Sequence, residues 1–295
     1  MIPANPDQDL VSLKAETLIE SLGWLREFHG RIVVVKFGGN AMVNQALQQA
    51  FAQDMAYLRF VGIRPVVVHG GGPQITAKLD ELGIASEFRN GFRYTDPQTM
   101  SVVRDVLRNQ VSKELSELIE AAGAETIVLS GEDDNLFRAE KVSLQSEAGE
   151  IDLGLVGEVR SVNPRAILAA LEQGKVPVVS SVAPTVLGEL LNVNADLAAA
   201  ALAVALGAEK LLVLTDVAGL YSDWPNRDSL VSEISAAELR ELIPTLESGM
   251  IPKMQACLAA VDGGVPKAHI IDGRQPHSIL LEIFTQAGVG TQVTR

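Results

Sequence analysis

The chain has 295 residues, 47% of them hydrophobic and only 4% aromatic, enough for one large α/β domain or two lobes around a Val/Leu/Ala-rich core. A formal net charge of −13 excludes a broad phosphate-neutralising surface, so no nucleic-acid partner is expected. The single cysteine, Cys257, excludes an intramolecular disulfide and a cysteine metal cluster, and the lack of a signal-peptide pattern or of any apolar run near 20 residues implies a cytoplasmic protein with no membrane span.

Residues 8–29 predict an amphipathic helix, with Val11, Ala15, Leu18, Leu22 and Leu25 on one face and Trp24 and Phe28 on an adjoining strip. That face must find cover on its own lobe or on another subunit. Strands and helices then alternate: RIVVVKF, a helix in QALQQAFAQDMAYLRFVG, RPVVVHG, and a helix in PQITAKLDELG. Such alternation predicts βαβ units and a mainly parallel open sheet with helices on both faces, a three-layer αβα sandwich preceded by the N-terminal helix. In SEFRNGFRYTD the Asn-Gly pair predicts a hairpin. Asp96 and Pro97 open a long helix that closes at Gly123. After ETIVLSG, short strand candidates fill a polar stretch up to Val162, and Asn163 caps the next helix. The strand KVPVVSSV begins a second series, which runs through an alanine-rich helix, EKLLVLTD, two helices, PKAHIIDG and a short final helix and strand. Any lobe boundary near residue 175 is soft.

Five stretches place a charged side chain or free backbone N–H groups at strand or helix ends. Lys36 closes a buried strand, and Gly38 and Gly39 follow it, so backbone N–H groups are free to converge on one anion. Gly70, Gly71 and Gly72 end the next strand and lead into a helix, whose N-terminus also favours an anion. Neither the Walker pattern nor GxGxxG is present. Each turn taken alone is also what a tight structural turn looks like, whereas two turns and a lysine point to a phosphate-binding crevice. Asn194 reads as a helix cap, which leaves Asn192 and Asp196 unexplained. Asp216 ends a strand where α/β folds contact nucleotides, and Lys253 sits in a helix opening, where a cation needs an anion beside it.

With KFGGN, HGGGPQI, NGFRYTD, NVNAD, LTDVAGLY, GMIPK and HIIDGR in this order, the chain resembles the amino-acid kinase superfamily from about Arg31 onward. NGFRYTD and NVNAD resemble the acetylglutamate kinases more than the uridylate, carbamate or aspartate kinases. The resemblance implies ATP-dependent phosphorylation of the side-chain carboxylate of N-acetyl-L-glutamate in arginine biosynthesis, with Mg2+ held by the nucleotide phosphates and no protein metal site. It gives Lys36 and Lys253 the transferring phosphoryl group, and Asp196 the task of orienting them. Gly38, Gly39 and Asp216 fall to the nucleotide, and Gly71, Gly72, Arg93 and Asn192 to the acyl amino acid.

The arginine-sensitive members also have an N-terminal helix that links dimers into a hexamer, and an effector site matched here by His269, Glu282 and Gly288. The resemblance therefore implies feedback inhibition by L-arginine and a homo-oligomer, either a hexamer built as a trimer of dimers or a dimer. It divides the chain into an oligomerising and regulatory helix (1–29), an N-lobe for substrate and dimerisation (30–175) and a C-lobe for ATP and arginine (176–295). The alternatives are an acetylaminoadipate or carbamate kinase and, more distantly, a non-catalytic amino-acid-sensing protein. One methylene separates acetylglutamate from acetylaminoadipate, a difference of only ~1–3 kcal/mol in a pocket.

Overall fold

The computed structural model describes residues 6–89, 91–146, 149–285 and 288–295. Helix α1 (Pro6–Phe28) leads into β1 (Ile32–Phe37), a short 3-10 helix (Gly39–Val43), α2 (Gln45–Phe60), β2 (Arg64–His69) and α3 (Gly72–Glu81). The hairpin follows as β3 (Phe88–Arg89) and β4 (Phe92–Arg93), with Asn90 of its expected turn outside the described residues. The long helix begins as α4 (Pro97–Asp105), capped by Asp96 through the Thr99 N–H, and ends as α5 (Ser112–Ala121). Between them lies a π-helical turn, Val106–Val111, which apolar periodicity did not foretell.

Strand β5 (Thr126–Ser130) precedes β6 (Phe137–Lys141), β7 (Leu144–Ser146), β8 (Gly149–Ile151) and β9 (Val156–Val162). Helix α6 (Arg165–Glu172) has Pro164 as its cap residue, one position later than expected, while Asn163 still accepts the Arg165 N–H through Oδ1 at 3.5 Å and donates through Nδ2 to the Asp134 carbonyl at 3.1 Å. The expected strand KVPVVSSV breaks at Ser181 into β10 (Val176–Ser180) and β11 (Val182–Pro184), which belong to different sheets. Then come β12 (Leu190–Val193), α7 (Ala195–Leu206), β13 (Lys210–Thr215), β14 (Leu220–Tyr221), β15 (Leu230–Val231) and β16 (Glu233–Ser235). The chain closes with α8 (Ala236–Leu242), α9 (Ile251–Asp262), β17 (Lys267–Asp272), α10 (Ser278–Phe284) and β18 (Thr291–Thr294).

Eight strands form the main sheet in the order β16-β18-β17-β13-β1-β2-β10-β5, parallel throughout except where β17 meets β18. Side chains alternate across a strand, so Val34 joins the core under α7 and α9 while Val33 and Val35 join the core under α2 and α5. Helices on both faces explain why every residue of β1 is buried. A four-stranded sheet, β11-β12-β9-β6, flanks the first of these cores. Among its described side chains, helix α1 is anchored toward its C-terminal end: Ser21 and Phe28 are buried, Trp24 and Leu25 pack against the second core, and Val11, Leu18 and Leu22 of the expected stripe are exposed.

Candidate active site

Parallel strands bring their carboxyl ends to one edge of the sheet, and the charged residues gather there. Lys36 is flanked by Val213 of β13 and Val68 of β2, and its ammonium lies 2.8 Å from Asp196 Oδ1. Asp196 comes from the first turn of α7, opened by Asn194, whose Oδ1 accepts the N–H groups of Asp196 and Leu197. Lys253, in the first turn of α9, donates to the other oxygen of Asp196 at 3.0 Å. The cation disfavoured by its own helix is thus held by an anion from α7, which packs against α9. Burial would raise the Asp196 carboxyl, but the two ammoniums outweigh it and hold it down at about 2. For Lys36, burial wins over Asp196 and lowers the ammonium. Two ammoniums in contact with a single carboxylate make a place suited to a further anion.

The first glycine turn is shaped by close approach. A Cβ at Gly38 would collide with the Lys36 ammonium, and one at Gly39, where φ is +75°, would come within 2.7 Å of Asp216 Oδ1. Asp216 accepts the Asn40 N–H at 2.9 Å, so it orders the turn after β1 from the end of β13. Gly38, Gly39 and Asp216 therefore meet as expected from their positions, and the turn is narrow enough to leave backbone N–H groups as its donors.

Gly71, Gly72, Arg93 and Asn192 line one cavity of about 260 Å³ with Ser181 and Asn194. The Arg93 guanidinium is fixed from behind: it donates to Ser86 Oγ, to Thr76 Oγ1 at 2.8 Å and to the Gly72 carbonyl at 3.2 Å, and the Phe88 ring lies 4.7 Å from its central carbon. Asn192 is tied through Nδ2 to Thr95 Oγ1 at 3.2 Å. The cavity and the lysine pair adjoin through Asn194, Ala195 and Asp196.

His269, Glu282 and Gly288 come together elsewhere, in a second cavity of about 270 Å³ that Trp24 and Lys210 also line. Glu282 accepts from Lys210 Nζ at 3.0 Å, from His269 Nδ1 at 2.7 Å and from the Val289 N–H at 2.9 Å. Burial would raise Glu282, yet His269 and Lys210 pull it down to about 2. Burial lowers His269, so its Nε2, buried and without a protein partner among the described residues, is a bare acceptor. Lys210 escaped notice in the sequence, although a lysine opening a six-residue buried strand poses the same question as Lys36. Thr76 and Ser86 carried no signal, since short polar residues on a helix or loop are unremarkable until Arg93 is seen against them.

A mostly parallel α/β sheet with this anion-ready edge is the architecture of small-molecule kinases that act without a Walker loop. The profile described as "Amino acid kinase family" matches residues 31–272. Acetylglutamate kinase of Leifsonia xyli subsp. xyli is 64% identical over 282 residues, 95% of this chain and 93% of that protein. Acetylglutamate kinase of Nocardioides sp. (strain ATCC BAA-499 / JS614) is 59% identical over 291 residues, 99% of this chain and 92% of that protein. The chain belongs to the amino acid kinase family and, within it, to the acetylglutamate kinases.

Among solved structures, N-acetylglutamate synthase from Neisseria gonorrhoeae, complexed with coenzyme A and N-acetyl-glutamate, shares the fold with a TM-score of 0.83 at 23% identity. That match covers 95% of this chain and 63% of the synthase, so the chain spans less than two thirds of that longer protein. The same synthase complexed with coenzyme A and L-arginine gives a TM-score of 0.78 at 24% identity, covering 95% of this chain and 65% of the other.

Proposed function

We propose that this chain transfers the γ-phosphoryl group of ATP to the side-chain carboxylate of N-acetyl-L-glutamate, forming N-acetyl-L-glutamyl 5-phosphate for arginine biosynthesis. The observation that carries the reading is the Lys36–Asp196–Lys253 cluster beside a cavity that holds a fixed arginine and a glycine turn. A carboxylate nucleophile has an unperturbed pKa of about 4.3 and is ionised at neutral pH, so no general base is needed. The obstacle is bringing one anion onto another. Lys36 and Lys253 take the oxygens of the transferring group, and Asp196 keeps the two ammoniums apart and aimed. Arg93 and Asn192 hold the α-carboxylate of acetylglutamate, with Gly71 and Gly72 at its reacting end. The turn at Gly38, Gly39 and Asp216 receives the nucleotide. A Mg2+ ion bound to the nucleotide phosphates would supply further charge neutralisation there, beside the chain's own cations Lys36 and Lys253.

The second cavity is the L-arginine site in this reading, which fits its donors and acceptors: a carboxylate, a bare imidazole nitrogen and the turn at Gly288 suit a guanidinium and an ammonium. Its occupation gives feedback inhibition. The apolar face of α1 supports a homo-oligomer, a hexamer joined through that helix or otherwise a dimer. Residues 30–175 serve mainly the acyl amino acid and dimerisation, and residues 176–295 serve ATP and arginine. No helix among the described residues is long and apolar enough to cross a membrane, and a cytoplasmic location suits a biosynthetic kinase. The test is a reaction with ATP, Mg2+ and either acetylglutamate or acetylaminoadipate, with the acyl phosphate trapped by hydroxylamine. Product with acetylglutamate in clear preference supports the reading, and no product with it refutes the reading.

A further inference from the structure

The imidazole of His69 has no part in the reading above, yet it is fully buried at the end of β2, directly before the Gly70–Gly72 turn. Both ring nitrogens are engaged: Nδ1 lies 2.8 Å from the Gly70 carbonyl oxygen and Nε2 lies 2.6 Å from Ser112 Oγ. Counting hydrogens assigns each of them. A carbonyl oxygen only accepts, so Nδ1 carries the hydrogen. Burial pushes the imidazole down to about 4, so the ring is neutral at neutral pH and Nε2 is a bare acceptor. The Ser112 hydroxyl has one hydrogen and gives it to Nε2. The Leu107 carbonyl, 2.9 Å from the same hydroxyl, loses nothing, because it already takes the Ser112 backbone N–H in the π-helical turn. That turn also sets Leu107 against Gly71, where a Cβ would meet Leu107 Cδ2 at 2.6 Å.

A trans peptide is planar, with its C=O and the following N–H pointing opposite ways. Holding the Gly70 carbonyl against the imidazole therefore turns the Gly71 N–H away from the ring. The Gly70 N–H, which belongs to the preceding His69–Gly70 peptide, is tied to the Phe37 carbonyl at 3.2 Å, so the chain is also fixed where it enters the turn. Among the described residues, no protein group accepts from the N–H of Gly71 or Gly72.

We propose that His69, backed by Ser112, is a positioning residue for phosphoryl transfer: it locks the Gly70–Gly71 peptide so that the Gly71 N–H faces an oxygen of the reacting carboxylate–phosphoryl unit. The inference rests on the kinase reading of this cavity. It is tested with two variants and one measurement on the unaltered protein. His69→Asn keeps a donor near the place of Nδ1, and His69→Leu keeps bulk without a donor. In the hydroxylamine assay, kcat of His69→Leu should fall about 10–100-fold with the acetylglutamate KM changed less than about threefold, and His69→Asn should recover most of the loss. Equal losses in both variants, or an unchanged kcat in His69→Leu, overturn the proposal. Because leucine at a buried site risks misfolding, nitrogen NMR of the histidine rings in the unaltered protein gives an independent reading. His69 protonated on Nδ1 at neutral pH supports the proposal, and the Nε2-protonated tautomer overturns it. An inactive unaltered protein would sink the kinase reading and this role together, whereas an active one with an indifferent His69→Leu sinks only the role of His69.

Discussion

The ammonium of Lys253 lies 3.0 Å from Oδ2 of Asp196, the carboxylate oxygen that Lys36 does not face. Its side chain is 21% exposed against 7% for Lys36, so Lys253 is the cation of the pair nearer to solvent. In the proposed reaction its contact with the transferring group strengthens as the phosphoryl group passes to the acyl oxygen and negative charge builds on the leaving oxygen of ADP. Lys253→Ala should lower kcat by at least ~100-fold while leaving the acetylglutamate KM nearly intact. Steady-state rates with both substrates varied give the answer, and an unchanged kcat removes Lys253 from the chemistry.

Arg93 behaves differently, because its expected partner is a carboxylate that does not react. A guanidinium pairing of that sort binds ground and transition states about equally. Arg93→Ala should raise the acetylglutamate KM by roughly 10–100-fold with a smaller change in kcat. Thr76→Val, which removes the 2.8 Å contact behind the guanidinium, should give a weaker version of the same effect. A rise in the KM for ATP instead would mean that Arg93 faces the other substrate.

What the sequence made legible was whatever repeats locally. The βαβ alternation, the strand-end lysine, the two glycine turns and the helix caps at Asp96 and Asn194 are each set by a few neighbouring residues, and all lie where the pattern put them. Relationships between distant segments were not legible. His69 meets Ser112 only because a π-helical turn interrupts an otherwise regular helix, and apolar periodicity does not register one extra residue. Asp54 looks like an ordinary helix carboxylate until its fold partner, His277, is seen 223 residues further along.

That partner makes a pH prediction. Asp54 on α2 is 1% exposed, and its Oδ1 lies 2.6 Å from His277 Nδ1 at the start of α10. Burial pushes the Asp54 carboxyl up to about 6, against the pull of His277. In an unfolded chain the value is about 3.9. A folded-state pKa raised in this way gives a stabilising contribution that is complete below the unfolded value and lost as pH rises through about 6. Relative to the unaltered protein, Asp54→Asn should therefore gain roughly 1–3 kcal/mol of stability between about pH 4 and pH 7.5. Urea unfolding at the two pH values measures it. A difference between the two proteins that does not change with pH would show that Asp54 is not held protonated by the fold.

The last prediction concerns α1, whose two ends have opposite environments. Phe28 is 2% exposed and its ring centre lies 5.4 Å from Lys210 Nζ, while Trp24 lines the cavity that holds His269 and Glu282. Further out, Val11, Leu18, Ile19 and Leu22 are between 44% and 72% exposed. The helix thus carries an apolar face with no cover in one chain directly to the wall of the proposed effector cavity. Association through that face would let arginine sense, and be sensed by, the assembly. Truncation must stop short of Trp24, because Phe28 belongs to the core and Trp24 and Leu25 pack against it. Removing residues 1–22 should leave kinase activity in place, reduce the size of the oligomer and weaken arginine inhibition, whose coupling to substrate should amount to about 1–3 kcal/mol, or 5–150-fold, in the full chain. Sedimentation and arginine titrations of both proteins decide the matter. A truncated protein of unchanged size and full arginine sensitivity would make α1 a packing element, and a full chain indifferent to arginine would remove the effector role from His269, Glu282 and Gly288.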